Sequence, residues 1–288
     1  MPGHVINAMF HSTAMVPDYD LAIEQLGALF GLRVLEYSIQ SHPSIGRRGG
    51  MNWVGDGSLE IGQPTLDGGA PDRFVRRTGG GMQGVGLWVE DFAATEAHLA
   101  ANGVPMPVSL GRFGFSSPRA TAGLQFEWCV GTTETDPRLG HHPEPPFVQP
   151  PLLDITHQAF VGAVVADPLG AAHEFSANLG LEVLFENPNA DAGVPVAGLS
   201  LGDCALALYS LLPDRSLELW GRHHDRPRIH LVGLRVNDLE SAKLQLESAG
   251  VHVLRAEPHL LVLDPADTAQ IEVAVVDELL PGDPRLGV

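Results

Sequence analysis

The sequence predicts an α+β protein built from four βαβββ modules, paired into two domains. Three observations predict it. A strand followed by a helix that opens at an Asp recurs four times, at Asp18, Asp91, Asp167 and Asp238. Each such step is followed by short strands separated by Gly-rich turns. The second half of the chain then repeats the first at offsets of 147 to 149 residues. A repeat this long is a duplicated domain, not a solenoid. A chain of 288 residues is also too long for one ordinary core and suits two.

Residues 5–16 alternate as a strand, and Pro17-Asp18 opens a helix with Asp18 as N-cap. Ala22, Leu26, Leu29 and Phe30 form one helical face, Gly31 ends the helix, and Leu32–Tyr37 is a second strand. Residues 40–50, with Arg47 and Arg48, read as a loop. Met51–Gly55 and Ser58–Gly62 form a hairpin across Asp56-Gly57. After Gly79-Gly80-Gly81 the plan restarts with strand Val85–Val89 and a helix capped by Asp91 that ends near Asn102-Gly103. Strands follow around Pro107–Phe113, Phe115–Arg119 and Leu124–Val130. Residues 132–151 are crowded with prolines and read as a linker between a first domain at 1–131 and a second at 152–288.

The repeat is visible in detail. Gly31-Leu32-Arg33-Val34-Leu35 matches Gly180-Leu181-Glu182-Val183-Leu184. Gly55-Asp56-Gly57-Ser58-Leu59 matches Gly202-Asp203-Cys204-Ala205-Leu206, and Val89-Glu90-Asp91-Phe92 matches Val236-Asn237-Asp238-Leu239.

Composition excludes several classes. A net charge of −18 repels phosphate backbones and anionic membrane surfaces, so nucleic acid is not an expected partner. No apolar run reaches the roughly 18 residues of a membrane span. The N-terminus has no basic region followed by an apolar core, so no signal peptide is expected. Two cysteines, Cys129 and Cys204, give no disulfide framework and point to a reducing cytoplasm. A homodimer is allowed by the sequence but not required.

These modules and turns resemble the vicinal oxygen chelate superfamily: glyoxalase I, methylmalonyl-CoA epimerase, fosfomycin-resistance enzymes and extradiol dioxygenases. The resemblance covers nearly the whole chain outside the linker. It implies that two modules close into an open, glyoxalase-like barrel, with metal ligands on the first and last strand of each module. The first-strand ligand usually lies six or seven residues before the helix-opening Asp, and the last-strand ligand is a Glu in a motif like Ile-Glu-Leu. Carried over, the first domain offers His11, Glu60 in Ser58-Leu59-Glu60-Ile61, and Glu127 in Leu124-Gln125-Phe126-Glu127-Trp128. The fourth place holds Gly84, a departure that leaves three protein ligands. In the second domain the same places hold Phe160, Ala207, Leu231 and Glu272, so that domain is expected to lack a metal.

The residues agree in direction. Strand side chains alternate, so Ser58, Glu60 and Gly62 share one face and Leu59 and Ile61 the other. A carboxylate between Leu and Ile is costly unless exposed or paired. One His and two Glu make an oxygen-rich site for one divalent ion, Mn, Fe, Co, Ni or Zn, with open positions for water or substrate. Glu272 is expected to pair with Arg235. His157 and His230 are displaced from the ligand places by odd numbers of residues, which points strand side chains to the wrong face. His141-His142 and His223-His224 lie in polar segments and take no role.

The resemblance implies a metal-dependent isomerase, epimerase or lyase acting on a small oxygenated substrate through an enolate or enediolate. Either Glu127 or Glu60 is the base. Trp53 is expected to pair with Glu60 and wall the cup. Arg47, Arg48 and Arg112 are candidates to hold an anionic substrate, and Phe113 and Phe115 to line the cup. Two other readings stand beside it: an extradiol-type iron dioxygenase, which needs two His and one carboxylate, and a barrel that binds a small molecule without catalysis.

Overall fold

The computed structural model describes residues 4–36, 46–131, 136–140, 150–191, 193–210 and 226–287. Two eight-stranded mixed sheets carry the helices on one side. The first contains β1 (Ile6–Met15), β2 (Arg33–Glu36), β3 (Arg47–Val54), β4 (Gly57–Pro64), β5 (Gly81–Val89), β6 (Val108–Ser109), β7 (Phe113–Phe115) and β8 (Phe126–Val130). Its strand order is β2-β3-β4-β1-β5-β8-β7-β6. The second sheet repeats that order with β10-β11-β12-β9-β13-β16-β15-β14. There β9 is His157–Val165, β10 Val183–Glu186, β11 Ala197–Ser200, β12 Ala205–Ser210, β13 Arg228–Arg235, β14 Val253–Glu257, β15 Leu260–Leu263 and β16 Glu272–Val276. Within each module the first and last strands run parallel side by side, as in β1 with β4 and β5 with β8. The two modules of a domain join through their first strands, β1 antiparallel to β5 and β9 to β13. Neither sheet closes, which leaves two open barrels.

The four Asp residues do what their place in sequence implies. Asp18, Asp91, Asp167 and Asp238 each have an extended backbone and accept a hydrogen bond from the amide three residues on. They start α1 (Tyr19–Phe30), α3 (Phe92–Ala101), α4 (Pro168–Leu179) and α5 (Leu239–Ser248). These helices bury Ala22, Leu26, Phe30, Phe175 and Leu246 against the even- or odd-numbered apolar face of the strands, including Ile61, Leu87, Phe126 and Val273. That apolar layer is continuous across both sheets. No described helix is long and apolar enough to cross a membrane.

Several expectations need correction. Arg47 and Arg48 are not in a loop but begin β3. The hairpin turns on Gly55-Asp56, with Val54 opposite Gly57. Gly55, at φ 61°, takes the positive φ that a two-residue hairpin turn asks of its first central residue. The register therefore pairs Glu60 with Met51, and Trp53 with Ser58. Residues beyond Phe115 do not continue as a strand, because Pro118 starts a 3-10 turn over Pro118–Ala120. A helix absent from the sequence reading, α2 (Ala70–Thr78), fills the connection between the first two modules. Its signals were present: Pro71 in the first turn and Gly79, at φ 77°, just past the end. Residues 136–140, within the Pro-rich segment, are packed into the seam between the sheets through Arg138 rather than spanning it as a spacer.

Asp91→Ala removes the side-chain acceptor for the Ala94 amide at 3.0 Å. It is expected to lower stability by about 1 kcal/mol in urea unfolding, with Asp91→Asn recovering most of the loss.

Candidate metal centre

Sheet register alone gathers the site. Parallel pairing sets Thr13 opposite Glu60. Antiparallel pairing sets His11 opposite Gly86, and Gly86 in turn pairs with Glu127 on β8. His11, Thr13, Glu60 and Glu127 thus meet on the concave face, around the seam of β1 and β5. One donor atom from each of His11, Glu60 and Glu127 lies within 4.8 Å of the other two. His11 Nε2 is 3.6 Å from Glu127 Oε2, and Nδ1 is 3.9 Å from Glu60 Oε2. His11 and Glu60 are buried and Glu127 is largely shielded.

Arg47 Nη2 donates to Glu60 Oε1 at 2.6 Å. The Thr13 hydroxyl lies 3.0 Å from His11 Nδ1 and donates to Glu60 Oε2 at 3.5 Å. A hydroxyl has one proton to give. With that proton on Glu60, His11 Nδ1 carries the ring N–H, and Nε2 turns its lone pair toward Glu127. Burial pushes the His11 pKa down to about 4 despite the nearby Glu60 charge, so the imidazole is neutral at pH 7. Burial, and then the charge of Glu60, push Glu127 up to about 8. Arg47 neutralises Glu60, and among the described residues Glu127 forms no ion pair with Arg or Lys.

This donor set fits a divalent ion. A neutral imidazole nitrogen and two carboxyl groups converge in a shielded place, and one of the two carboxyls can exchange its proton for a cation. Three protein donors leave coordination positions open. Cys129 shares the strand with Glu127, but burial pushes its thiol well up, and Sγ donates to the Leu87 carbonyl at 3.3 Å. It offers no thiolate.

The remaining predicted residues divide. Arg47 enters the concave face. Arg48, one residue on, is exposed on the other face and bonds Gln63 and Asp20, so it cannot reach the site. Trp53 shares Glu60's face, but it is buried with the Arg138 guanidinium 5.7 Å from its ring centroid. Phe113 and Phe115 lie on β7 opposite Cys129 and Glu127, their rings 6.2 Å apart and edge-to-face. Arg112 is exposed ahead of β7. Two residues were missed. Thr13 stands two positions from His11 and so on its face, a readable signal. Arg138 belongs to Asp-Pro-Arg-Leu-Gly at 136–140, which recurs at 283–287.

Residues 10–120 match the family model described as Glyoxalase/Bleomycin resistance protein/Dioxygenase superfamily. The first domain belongs to this superfamily. No protein of curated function matches the chain. Among solved structures, a substituted variant of 4-hydroxymandelate synthase from Streptomyces coelicolor is similar over 99% of this chain and 96% of its own, with TM-score 0.65 and 14% identity. Methylmalonyl-CoA epimerase from Mycobacterium tuberculosis overlaps 46% of this chain and 94% of its own, with TM-score 0.42 and 18% identity. At 14% identity the likeness to the synthase is one of fold.

The superfamily's ligand places read differently in the second domain once register is known. Gly233 pairs with Phe160 and with Ala274, as Gly86 pairs with His11 and Glu127. Ala274, not Glu272, is therefore the counterpart of Glu127, and the four places hold Phe160, Ala207, Leu231 and Ala274. The concave face of the second sheet is an apolar cluster that includes Phe160, Ala207, Tyr209, Leu231 and Ala274. Glu272 does not pair with Arg235, which bonds the Asp277 carbonyl at 3.0 Å and Thr156 at 3.3 Å. The parity argument against His230 also fails. A register shift between Ile229 and Leu231 turns its ring onto the concave face, 5.4 Å from the Tyr209 ring. Even so, among the described residues only His11, Glu60 and Glu127 form a group with metal-binding spacing. His141-His142 and His223-His224 fall outside the described residues.

Gly86 is part of the centre, because a Cβ there would lie 2.6 Å from His11 Nε2. Gly86→Ala is expected to displace the ring and cost about 1–3 kcal/mol in chemical unfolding. The raised pKa of Glu127 gives a second expectation. Its carboxyl is mostly protonated at pH 7 and must lose that proton to bind a cation. Affinity for Mn²⁺ should therefore rise with pH up to about 8 and then level off. Calorimetry in buffers of different ionisation enthalpy should show about one proton released per ion at pH 7, and Glu127→Gln should remove that release.

Proposed function

We propose that the chain is a metal-dependent isomerase, epimerase or lyase for a small oxygenated substrate, with His11, Glu60 and Glu127 holding one divalent ion. The observation that carries the reading is the unequal footing of the two carboxylates. Arg47 and Thr13 engage both oxygens of Glu60, whereas Glu127 makes no side-chain hydrogen bond among the described residues. Glu60 is an anchored donor. Glu127 would be the more mobile of the two donors, available to act as a base.

When bound, the ion supplies Lewis acidity to neighbouring oxygens of the substrate, an effect worth several kcal/mol. Glu127 takes a proton from the adjacent carbon, and burial raises its basicity toward the neutral pH at which a general base works best. The electron pair from that C–H bond then sits in an enolate. Return of the proton gives the isomer or epimer, and loss of a β-substituent gives the lyase product. His11 stays neutral and Thr13 fixes its tautomer. Arg47 has further N–H groups beyond the one given to Glu60 and is placed to orient an anionic substituent. Phe113 and Phe115 shield the rim beside Glu127 from water. A centre of one His and two Glu does not favour the dioxygenase reading, which needs two His.

Metal analysis of the purified protein is expected to give one divalent ion per chain, absent from His11→Ala and Glu60→Gln. In D₂O, exchange of the proton α to a substrate carbonyl should slow by about 10²–10⁴ in Glu127→Gln. A wild-type protein without metal that still binds small molecules would favour the non-catalytic barrel. Bound iron with oxygen uptake on a catechol would favour the dioxygenase.

A further inference from the structure

We infer that the second domain holds the first domain's metal donor in place, with Arg138 and Asp203 as positioning residues for His11. The inference rests on the metal reading above and adds a part to that site which the three donors do not contain.

Pairing of β1 with β4 begins at Ser12 opposite Leu59. Met9 and Phe10 lie ahead of it, and groups from outside the first sheet take up their backbone. Asp203 Oδ1, in the turn between β11 and β12, accepts from the Met9 amide at 2.8 Å. Arg138 Nη1 donates to the Met9 carbonyl at 2.7 Å, and Nη2 to the Phe10 carbonyl at 3.0 Å. Arg138 and Asp203 close the ring at 3.1 Å, and Asp136 grips the same guanidinium at 2.7 Å. The Phe10 carbonyl belongs to the planar peptide that carries the His11 nitrogen. A shift of that carbonyl swings His11 directly, and the ring has no slack, since it already lies against Gly86.

The chain contains a matched control. Arg285 donates to the Gln158 and Ala159 carbonyls at 3.1 and 2.8 Å and meets Asp56 at 3.2 Å, while Asp56 accepts from the Gln158 amide at 2.8 Å. This second clasp has the same chemistry, but the next residue is Phe160, which cannot bind a cation. Among the described residues its link to His11's strand runs through Gln158, whose side-chain amide donates to the Ser12 hydroxyl at 2.5 Å.

The test is titration of Mn²⁺ by calorimetry, and of Co²⁺ by its visible absorption, into the full chain and its variants. Groups that orient a ligand are worth about 10–100-fold in metal affinity. Arg138→Ala should weaken binding by about that factor and alter the Co²⁺ spectrum, with Arg138→Lys recovering part of both. Asp203→Asn keeps an oxygen for the Met9 amide but drops the charge, and should weaken binding several-fold; it stands in if Arg138→Ala does not fold. Arg285→Ala should lower the melting temperature about as much as Arg138→Ala does, yet leave affinity within about 3-fold, below the range for an orienting group. Equal effects of Arg138→Ala and Arg285→Ala on affinity, or none from either, overturn the inference and leave the metal reading standing. A wild-type chain that takes up neither ion overturns both.

Discussion

The antiparallel seam between β1 and β5 is the constraint from which the rest of the centre follows. Each module places its first and last strands side by side, so each can present two side chains at its midline. The seam then brings the two midlines into register. His11 falls opposite Gly86 and, through it, opposite Glu127. Glu60 arrives from the other side through Thr13. Three strands that are distant in sequence deliver side chains to one spot, and a fourth leaves room for them with a glycine, without a loop among them. That favours precision, because a strand inside a sheet has little freedom to move a ligand by an ångström.

Electrostatics impose the second constraint. Two carboxylates in a shielded place repel each other, and burial disfavours their charge. The chain answers with one Arg, not two. Arg47 settles Glu60, and the proton on Glu127 settles the other. At rest the centre is close to neutral, with a neutral imidazole between the acids. A divalent ion exchanges for that proton, so the site gains one unit of charge instead of two. The second concave face is packed mainly with apolar groups, with Phe160, Leu231 and Tyr209 filling the space beside the buried His230 ring.

Much of the architecture was legible in sequence because it is written in local chemistry. Asp at a strand end caps a helix wherever it stands, and four such residues marked four modules. The duplication then fixed which strands correspond. Strand parity was readable where it was undisturbed, and Glu60 and Trp53 do share the concave face, whereas Arg47, read as part of a loop, reached that face unforeseen. Parity failed where a bulge added a residue, and His230 turned inward for that reason. It also failed to give register: the turn on Gly55-Asp56 moved Trp53 away from Glu60, and Glu272 was aligned one pleat off its true counterpart. Arg138 was hidden for a different reason. It lies among prolines that resemble a spacer, and only the repeat of Asp-Pro-Arg-Leu-Gly pointed to its work between the sheets.

The glycines facing the two rings carry a further meaning. A Cβ on Gly86 would strike His11, and one on Gly233 would lie 2.5 Å from the Phe160 ring. Both copies therefore keep the same niche, although only one niche holds a donor. A glycine in a strand costs about 0.5–1 kcal/mol relative to alanine, and the chain bears that cost twice. The niche is thus a property of the frame, independent of what the ring does. Ring chemistry can be exchanged there without rebuilding the backbone, so one polypeptide displays an imidazole and a phenyl version of a single socket.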